Sequence, residues 1–95
     1  MVVGTLKVSF HLSENHSLKE KRKIAKSLSS KIRAKFNVSV AEIGANDKWQ
    51  ILELGIVTVG NDRQFVDTSI NSILNYIDSM YIAPILSTDV EILNI

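Results

Sequence analysis

The sequence contains no cysteine, a single proline and no long apolar run. The lack of cysteine excludes disulfides, thiol catalysis and cysteine-based metal sites. No segment approaches the ~20 apolar residues that span a bilayer, and the first ten residues show no pattern of a secretory signal. With 95 residues, of which 45% are hydrophobic, we expect a single domain over residues 1–95, located in the cytoplasm and not associated with a membrane.

Sequence motifs of common catalytic and phosphate-binding sites are also missing. The chain has no Gly-rich phosphate loop, no G-x-S-x-G, and no glycine-bracketed arginine loop like that of small acylphosphatases. Asn46-Asp47 and Asn61-Asp62 superficially resemble catalytic pairs, but turn geometry and helix capping account for both. We therefore predict a non-enzymatic protein with no catalytic residue and no cofactor.

Positive charge is scarce outside one segment. Eight of the eleven Lys and Arg residues lie between Ser17 and Phe36, where Glu20 is the one acid. This segment therefore has a formal charge of +7, whereas the whole chain is +1. Such a patch indicates a partner rather than a fold, and it points to a polyanion such as RNA.

The first half of the chain predicts a strand, a helix and a hairpin. Val3–Leu12 alternates apolar and polar residues, which is typical of a half-buried strand. Ser17 and Glu20 have the spacing of a capping box, so the basic segment begins as a helix. Val38–Ile43 and Trp49–Val59 predict two strands joined by a turn around residues 46–47.

The second half predicts a helix and a final strand. Asn61 and Gln64 are spaced as a possible capping pair, and apolar residues then recur at three- and four-residue steps as far as Met80. Pro84 prevents this helix from continuing. Asp89–Ile95 alternates well enough to predict a last strand at an edge of the sheet.

The order βαββαβ predicts an α+β sandwich of the ferredoxin-like kind, with a four-stranded antiparallel sheet and two helices on one face. Right-handed crossovers place the first and third strands at its centre. The second face of the sheet is then open and includes Ile51, Val57, Val59 and, at its border, Trp49. An apolar sheet face of this kind invites a partner, and a second copy of the chain is the simplest one.

The positive charge of the first helix forms a stripe. At about 100° per residue, one arc of the helix is apolar, and a second arc beside it is basic. Like charges four residues apart and basic residues in the first turns both oppose helix stability, so we predict a phosphate-binding role. A solvated face, neutralised by acids elsewhere in the fold, is the alternative. The predicted nucleic-acid-binding residues are Lys19, Arg22, Lys23, Lys26 and Arg33.

Two smaller groups of residues also admit a function. His11, Glu14 and His16 include two imidazoles and a carboxylate, which are metal ligands, but a polar loop explains them equally well and we predict no metal site. Trp49 can stack on a base, although a lone Trp at a strand start more often packs on its own sheet or a dimer partner. The sheet lacks the aromatic signature of an RNA-recognition motif.

Six fragments of the sequence are informative in their order and spacing: VVG at 2–4, SLKEKR at 17–22, FNVSVAE at 36–42, WQ at 49–50, ELG at 53–55 and ND at 61–62. Together they resemble the YlxP-like family, small proteins of unassigned function. The resemblance implies a ferredoxin-like fold and, in many bacteria, a gene near those of translation initiation factors and a ribosome-binding factor. It brings no catalytic residues, and residues 81–95 match least well.

These observations support two hypotheses. The leading one is a protein that docks on structured RNA or a ribosomal particle through the five basic residues of the stripe. The second is a homodimeric interaction module, or a small-ligand regulatory module, that uses the open sheet face while the basic helix is merely solvated.

Overall fold

The computed structural model describes residues 1–13, 16–45 and 48–95. The predicted order of elements is confirmed, whereas the turn predicted at residues 46–47 lies outside the described residues. In chain order the elements are β1 (Val2–His11), α1 (Leu18–Lys35), β2 (Ser39–Glu42), β3 (Ile51–Gly60), α2 (Arg63–Ser79) and β4 (Ile85–Asn94).

The four strands form one antiparallel sheet in the order β2-β3-β1-β4. β1 lies at the centre and pairs with β3 along its whole length, from Val2 opposite Gly60 to His11 opposite Ile51. Strands one and three are therefore central, as predicted. The architecture is the ferredoxin-like α+β sandwich.

One face of the sheet is buried by the two helices. Alternate residues of β1 and β3 point to this face because side chains alternate along a strand, and α1 and α2 cover them with their apolar stripes. The opposite face is open, since neither helix packs on it. The core side chains that are at most 3% exposed are Leu6, Val8, Phe10, Leu28, Ile32, Leu52, Leu54, Ile56, Val66, Ile70, Ile73 and Ile77.

The first helix begins where the capping box predicted. The Ser17 hydroxyl accepts the Glu20 backbone N–H at 3.1 Å. The Glu20 carboxylate accepts the backbone N–H of His16 at 3.1 Å, one residue earlier than in a standard capping box. Two backbone donors at the helix start are thus satisfied by side chains.

The capping pair predicted for the second helix is wrong. Asp62, not Asn61, is the N-cap, and its carboxylate accepts the Phe65 backbone N–H at 2.8 Å. A charged carboxylate at this position is a stronger acceptor than an amide and also interacts favourably with the helix dipole. Gln64 therefore has no part in the cap.

The last strand is longer than predicted. It begins at Ile85 rather than Asp89, because the backbone N–H of His11 donates to the Pro84 carbonyl at 3.0 Å and β1 then pairs with the whole segment. The ends of an edge strand are set by its hydrogen bonds to the neighbouring strand. The apolar–polar alternation before Asp89 is weak, so the sequence pattern did not indicate the first residues of this strand. At the other edge, β2 is shorter than predicted by one residue at each end.

Gly4 lies where β1 passes beneath α2, and we expect its substitution by Ala to destabilise the protein. A Cβ there would stand 2.5 Å from Val66 Cγ1 and 2.7 Å from Ile70 Cδ1. We expect the free energy of unfolding to fall by about 1–3 kcal/mol in urea denaturation. Gly55→Ala is the matched control, because its Cβ would meet Ile43 at 3.3 Å on the open face. Equal losses in the two variants would contradict the packing described here.

Candidate nucleic-acid interface

The five predicted binding residues lie on one exposed face of α1. The opposite side of this helix is buried through Ala25, Leu28 and Ile32, which fixes the rotation of α1 on the sheet. Lys19 and Arg33 are fourteen residues apart, so the stripe runs about 21 Å along the helix at 1.5 Å per residue. All five basic side chains, Lys19, Arg22, Lys23, Lys26 and Arg33, are exposed.

The stripe is not neutralised by the fold within the described residues. In residues 1–13, 16–45 and 48–95, the one ion pair within 4 Å joins Lys21 and Glu42, neither of which belongs to the stripe. Four stripe residues, Lys19, Arg22, Lys23 and Lys26, also make no side-chain hydrogen bond to another described residue. Their charges face solvent and are open to an anion.

Arg33 differs from the other stripe residues because it also joins α1 to the sheet. Its Nη1 donates to the Val40 carbonyl of β2 at 3.2 Å. A guanidinium has five N–H donors, so this bond leaves others free to meet a phosphate. Arg33 therefore anchors the C-terminal end of the stripe over the edge strand.

Lys35 belongs to the packing of the two helices rather than to the stripe. Its Nζ lies 4.9 Å from the ring centroid of Tyr76 in α2, and the same ring meets Phe36 edge-on at 5.7 Å. Such a cation–π contact contributes about 0.5–1 kcal/mol at an exposed site. The flank of α1 that carries Lys35 thus faces α2, away from the five stripe residues.

Lys21 is buried, although it contributes to the formal charge of +7 of the basic segment. Its side chain is 1% exposed, and Nζ donates to the backbone carbonyls of Ala45 and, at 2.9 Å, Lys48. The Glu42 carboxylate lies 3.6 Å from the same nitrogen. One ammonium group therefore joins α1 to the end of β2 and to the loop before β3.

The spacing of apolar residues in α1 already indicates that Lys21 is buried. Lys21 lies four residues before Ala25 and seven before Leu28, which places it in the middle of the apolar arc. A basic residue at such a position either breaks the apolar stripe or is buried with partners. The sequence could therefore have predicted its burial, but not the distant carbonyl groups that accept its hydrogen bonds.

The loop that receives Lys21 has an unusual backbone. Gly44 and Ala45 have φ values of 57° and 48°, which is the left-handed region. Glycine adopts this region freely, whereas alanine does so at a cost of roughly 1–2 kcal/mol. The Ala45 carbonyl accepts from the Lys21 ammonium, and this charge-assisted bond stabilises the strained conformation.

The other two groups of candidate residues remain without an assigned role. His11 is half-buried, His16 is exposed, and Glu14 lies outside the described residues. Within the described part of the chain, no three His, Asp or Glu side chains form a cluster suited to a metal ion. Trp49 is 53% exposed and borders a shallow depression with His11 and Lys48.

The fold and this surface define a small ferredoxin-like α+β protein with a basic first helix. Residues 3–90 match a family described as "Protein of unknown function (DUF503)", and the chain belongs to that family. It is 41% identical over 63 residues to the "Uncharacterized protein YlxP" of Bacillus subtilis (strain 168), a match that covers 66% of this chain and 68% of that protein. The predicted YlxP-like resemblance is confirmed.

Solved structures of unrelated sequence share the fold. The de novo designed protein Foldit4 superposes with a TM-score of 0.53 at 13% identity, covering 99% of this chain and 97% of the design. The VAO-type flavoprotein MtVAO615 from Myceliophthora thermophila C1 gives 0.56 at 16% identity, over 98% of this chain. This chain spans 16% of the flavoprotein's length. At such identities the likeness concerns the fold alone.

Among the described residues, neither helix has both the length and the apolar character that crossing a membrane requires.

We expect Lys21→Met to destabilise the protein because it leaves the Ala45 and Lys48 carbonyls without their donor and Glu42 without its counter-charge. The free energy of unfolding should fall by about 1–3 kcal/mol, measured by urea denaturation with circular dichroism. Lys19→Met makes the same chemical change two residues away on the exposed face and should leave the midpoint nearly unchanged. If both variants unfold at one midpoint, the buried contacts of Lys21 contribute nothing.

Proposed function

We propose that this is a non-enzymatic cytoplasmic protein that binds the phosphate backbone of structured RNA, alone or in a ribosomal particle. The binding surface is the stripe of Lys19, Arg22, Lys23, Lys26 and Arg33 on α1. One observation supports the proposal most: five exposed cations follow one face of a rigid helix, and no carboxylate of the described residues pairs with them.

The energetics of α1 favour a bound anion. Lys19 with Lys23, and Arg22 with Lys26, are like-charge pairs four residues apart, each costing about 0.2–0.5 kcal/mol in the free helix. Phosphate groups bound along the stripe relieve this repulsion. Binding of the cations to the phosphates also releases the counterions condensed on the RNA. The second pair lies near the middle of the stripe, so it should contribute to contacts with successive phosphates.

The deep, narrow major groove of paired RNA is closed to side chains, so we expect the five cations of the stripe to contact phosphates rather than base edges. Phosphate contacts set affinity and orientation but do not read sequence. We therefore expect binding that depends on the shape of the RNA and is tolerant of its sequence. Among the larger RNAs a ribosomal particle is the natural target, since the family resemblance implies a gene near those of ribosome-associated factors.

We expect binding to a labelled RNA hairpin to weaken steeply across a KCl series. Each phosphate contact contributes a slope of about 0.7–0.9 log units of affinity per log unit of salt. The double variant Arg22→Ala/Lys26→Ala should weaken binding and reduce the slope by up to about two such contacts, as measured by fluorescence anisotropy.

The matched control is Lys7→Ala/Lys31→Ala, which removes the same net charge. Lys7 is exposed on the open sheet face and Lys31 on the other flank of α1. This control should retain nearly all of the affinity. An affinity that does not respond to salt, or an equal loss in both double variants, would rule out the stripe as the binding surface.

A second candidate function is self-association through the open sheet face. Three apolar residues of neighbouring strands form one row across the open face. Val3 of β1 lies opposite Val59 of β3 on one side and opposite Leu93 of β4 on the other. Val59 is 53% exposed and Leu93 44%, and Val57 adjoins them at 39%. Contiguous exposed apolar residues on a sheet commonly mark an interface.

Charged residues elsewhere on the open face restrict how two copies can meet. Lys7 lies opposite Asp89 across β1 and β4, and Glu91 lies opposite Thr5. These charged groups are more stable in water than in a buried interface. The apolar row should therefore form the centre of the contact and the charged groups its rim. A dimer with this geometry has the same patch on both subunits.

We expect Val59→Asp to abolish any such dimer, because two carboxylates would be buried against apolar side chains at the two-fold contact. Sedimentation equilibrium of the wild type should then show concentration-dependent mass above the 10.6 kDa of one chain, and the variant should not. Phe65→Asp removes an equally exposed apolar side chain from α2 and should leave association unchanged. A wild type that stays monomeric at all concentrations would exclude this function.

A further inference from the structure

A groove of about 480 Å³ lies beside the N-terminal half of α1. It is formed where β1 ends, where the first turns of α1 pass, and where the segment between α2 and β4 returns to the sheet. Its volume is in the range of 300–1,000 Å³ that small-molecule sites occupy. Neither the charge pattern nor the family resemblance had indicated this groove.

The walls of the groove combine apolar surface with a few polar groups. Ile24 of α1 and Ile82 of the segment after α2 both line it, and both are half-buried. The polar residues that line it are His11, Ser13, Glu20 and Lys23. Apolar walls with a small number of polar groups suit a flat heterocycle, which buries its faces and hydrogen-bonds through its edge.

Lys23 belongs both to the groove and to the stripe. It lines the groove, and it is also one of the five exposed cations that face solvent along α1. No carboxylate among the described residues lies within 4 Å of its ammonium group. A phosphate bound by Lys23 would therefore be continuous with the phosphates along the stripe, while its attached base lies at the mouth of the groove.

With Lys23 assigned to a phosphate, the Glu20 carboxylate favours a base that donates hydrogen bonds. One oxygen of Glu20 accepts the His16 backbone N–H at 3.1 Å, but a carboxylate accepts at about four lone-pair positions, so it can also receive a base. Guanine donates from N1 and from its exocyclic amino group on one edge. A carboxylate accepts both of these donors.

We propose that this groove binds one unpaired nucleotide, preferably guanosine, of the RNA that the stripe holds by its backbone. The inference rests on the proposed function and makes it more specific. The stripe binds paired RNA of any sequence, and the groove adds a preference for an unpaired base beside the helix. The occupied form has the base between Ile24 and Ile82, its edge on Glu20 and its phosphate on Lys23.

The test compares two hairpin RNAs with the same stem, one fully paired and one with a single bulged guanosine. We expect the bulged RNA to bind roughly five- to tenfold more tightly, the scale of one or two added hydrogen bonds and a partly buried base. Lys23→Ala should abolish this preference. Lys19→Ala, which removes a stripe charge that does not border the groove, should weaken both RNAs equally and keep the preference.

Methyl NMR provides a readout that does not depend on affinity. The bulged RNA should shift the δ-methyl resonances of Ile24 and Ile82, and the paired RNA should shift them much less. Ile73, buried in α2, is the internal control for a change of the whole fold.

The two proposals fail in different ways. Equal affinity for the two RNAs, with binding still sensitive to salt and to Arg22→Ala/Lys26→Ala, would overturn the groove and leave the stripe. Unchanged Ile24 and Ile82 methyl resonances in a saturated complex would also overturn the groove. Absence of binding to either RNA would overturn both proposals.

Discussion

The buried ammonium of Lys21 is the contact on which the arrangement of the candidate surface on α1 depends. It joins the first turns of α1 to the loop between β2 and β3 by bonds to Ala45 and Lys48, beside Glu42. Because Lys21 is in the centre of the apolar arc, its burial supports the rotation of α1 that Ala25, Leu28 and Ile32 fix, with Arg22 and Lys26 exposed to solvent. A buried cation without these partners would be strongly unfavourable, so the helix and the loop must be in place together.

This contact changes the interpretation of the SLKEKR fragment. Ser17 caps the helix, Glu20 completes the cap, and Lys21 pairs with Glu42, which itself belongs to the FNVSVAE fragment. The two most distinctive fragments of the family resemblance thus meet in space. Their joint presence has a structural explanation, and Lys19 and Arg22 are the basic residues of the first fragment that remain exposed for a partner. Part of a basic motif can therefore serve the fold rather than a partner.

The two candidate surfaces lie on opposite sides of the sheet. The helices cover one face, with the stripe on the outer side of α1, whereas the apolar row of Val3, Val59 and Leu93 lies on the other. Dimerisation and RNA binding would therefore not compete. A dimer formed through the open faces would present two stripes outward, and two linked sites on one particle would raise the apparent affinity without any new contact.

The sequence by itself determined the order of elements, the buried side of the two central strands, the Ser17 cap and the position of the stripe, because all of these follow from periodicity and short-range spacing. The tertiary structure decided the rest. The start of β4 depends on a bond from His11 to Pro84, the partners of Lys21 lie more than twenty residues away, and the groove is formed by three separate segments. Contacts between residues distant in the chain leave no local pattern, so only the folded chain shows which side chains they bring together.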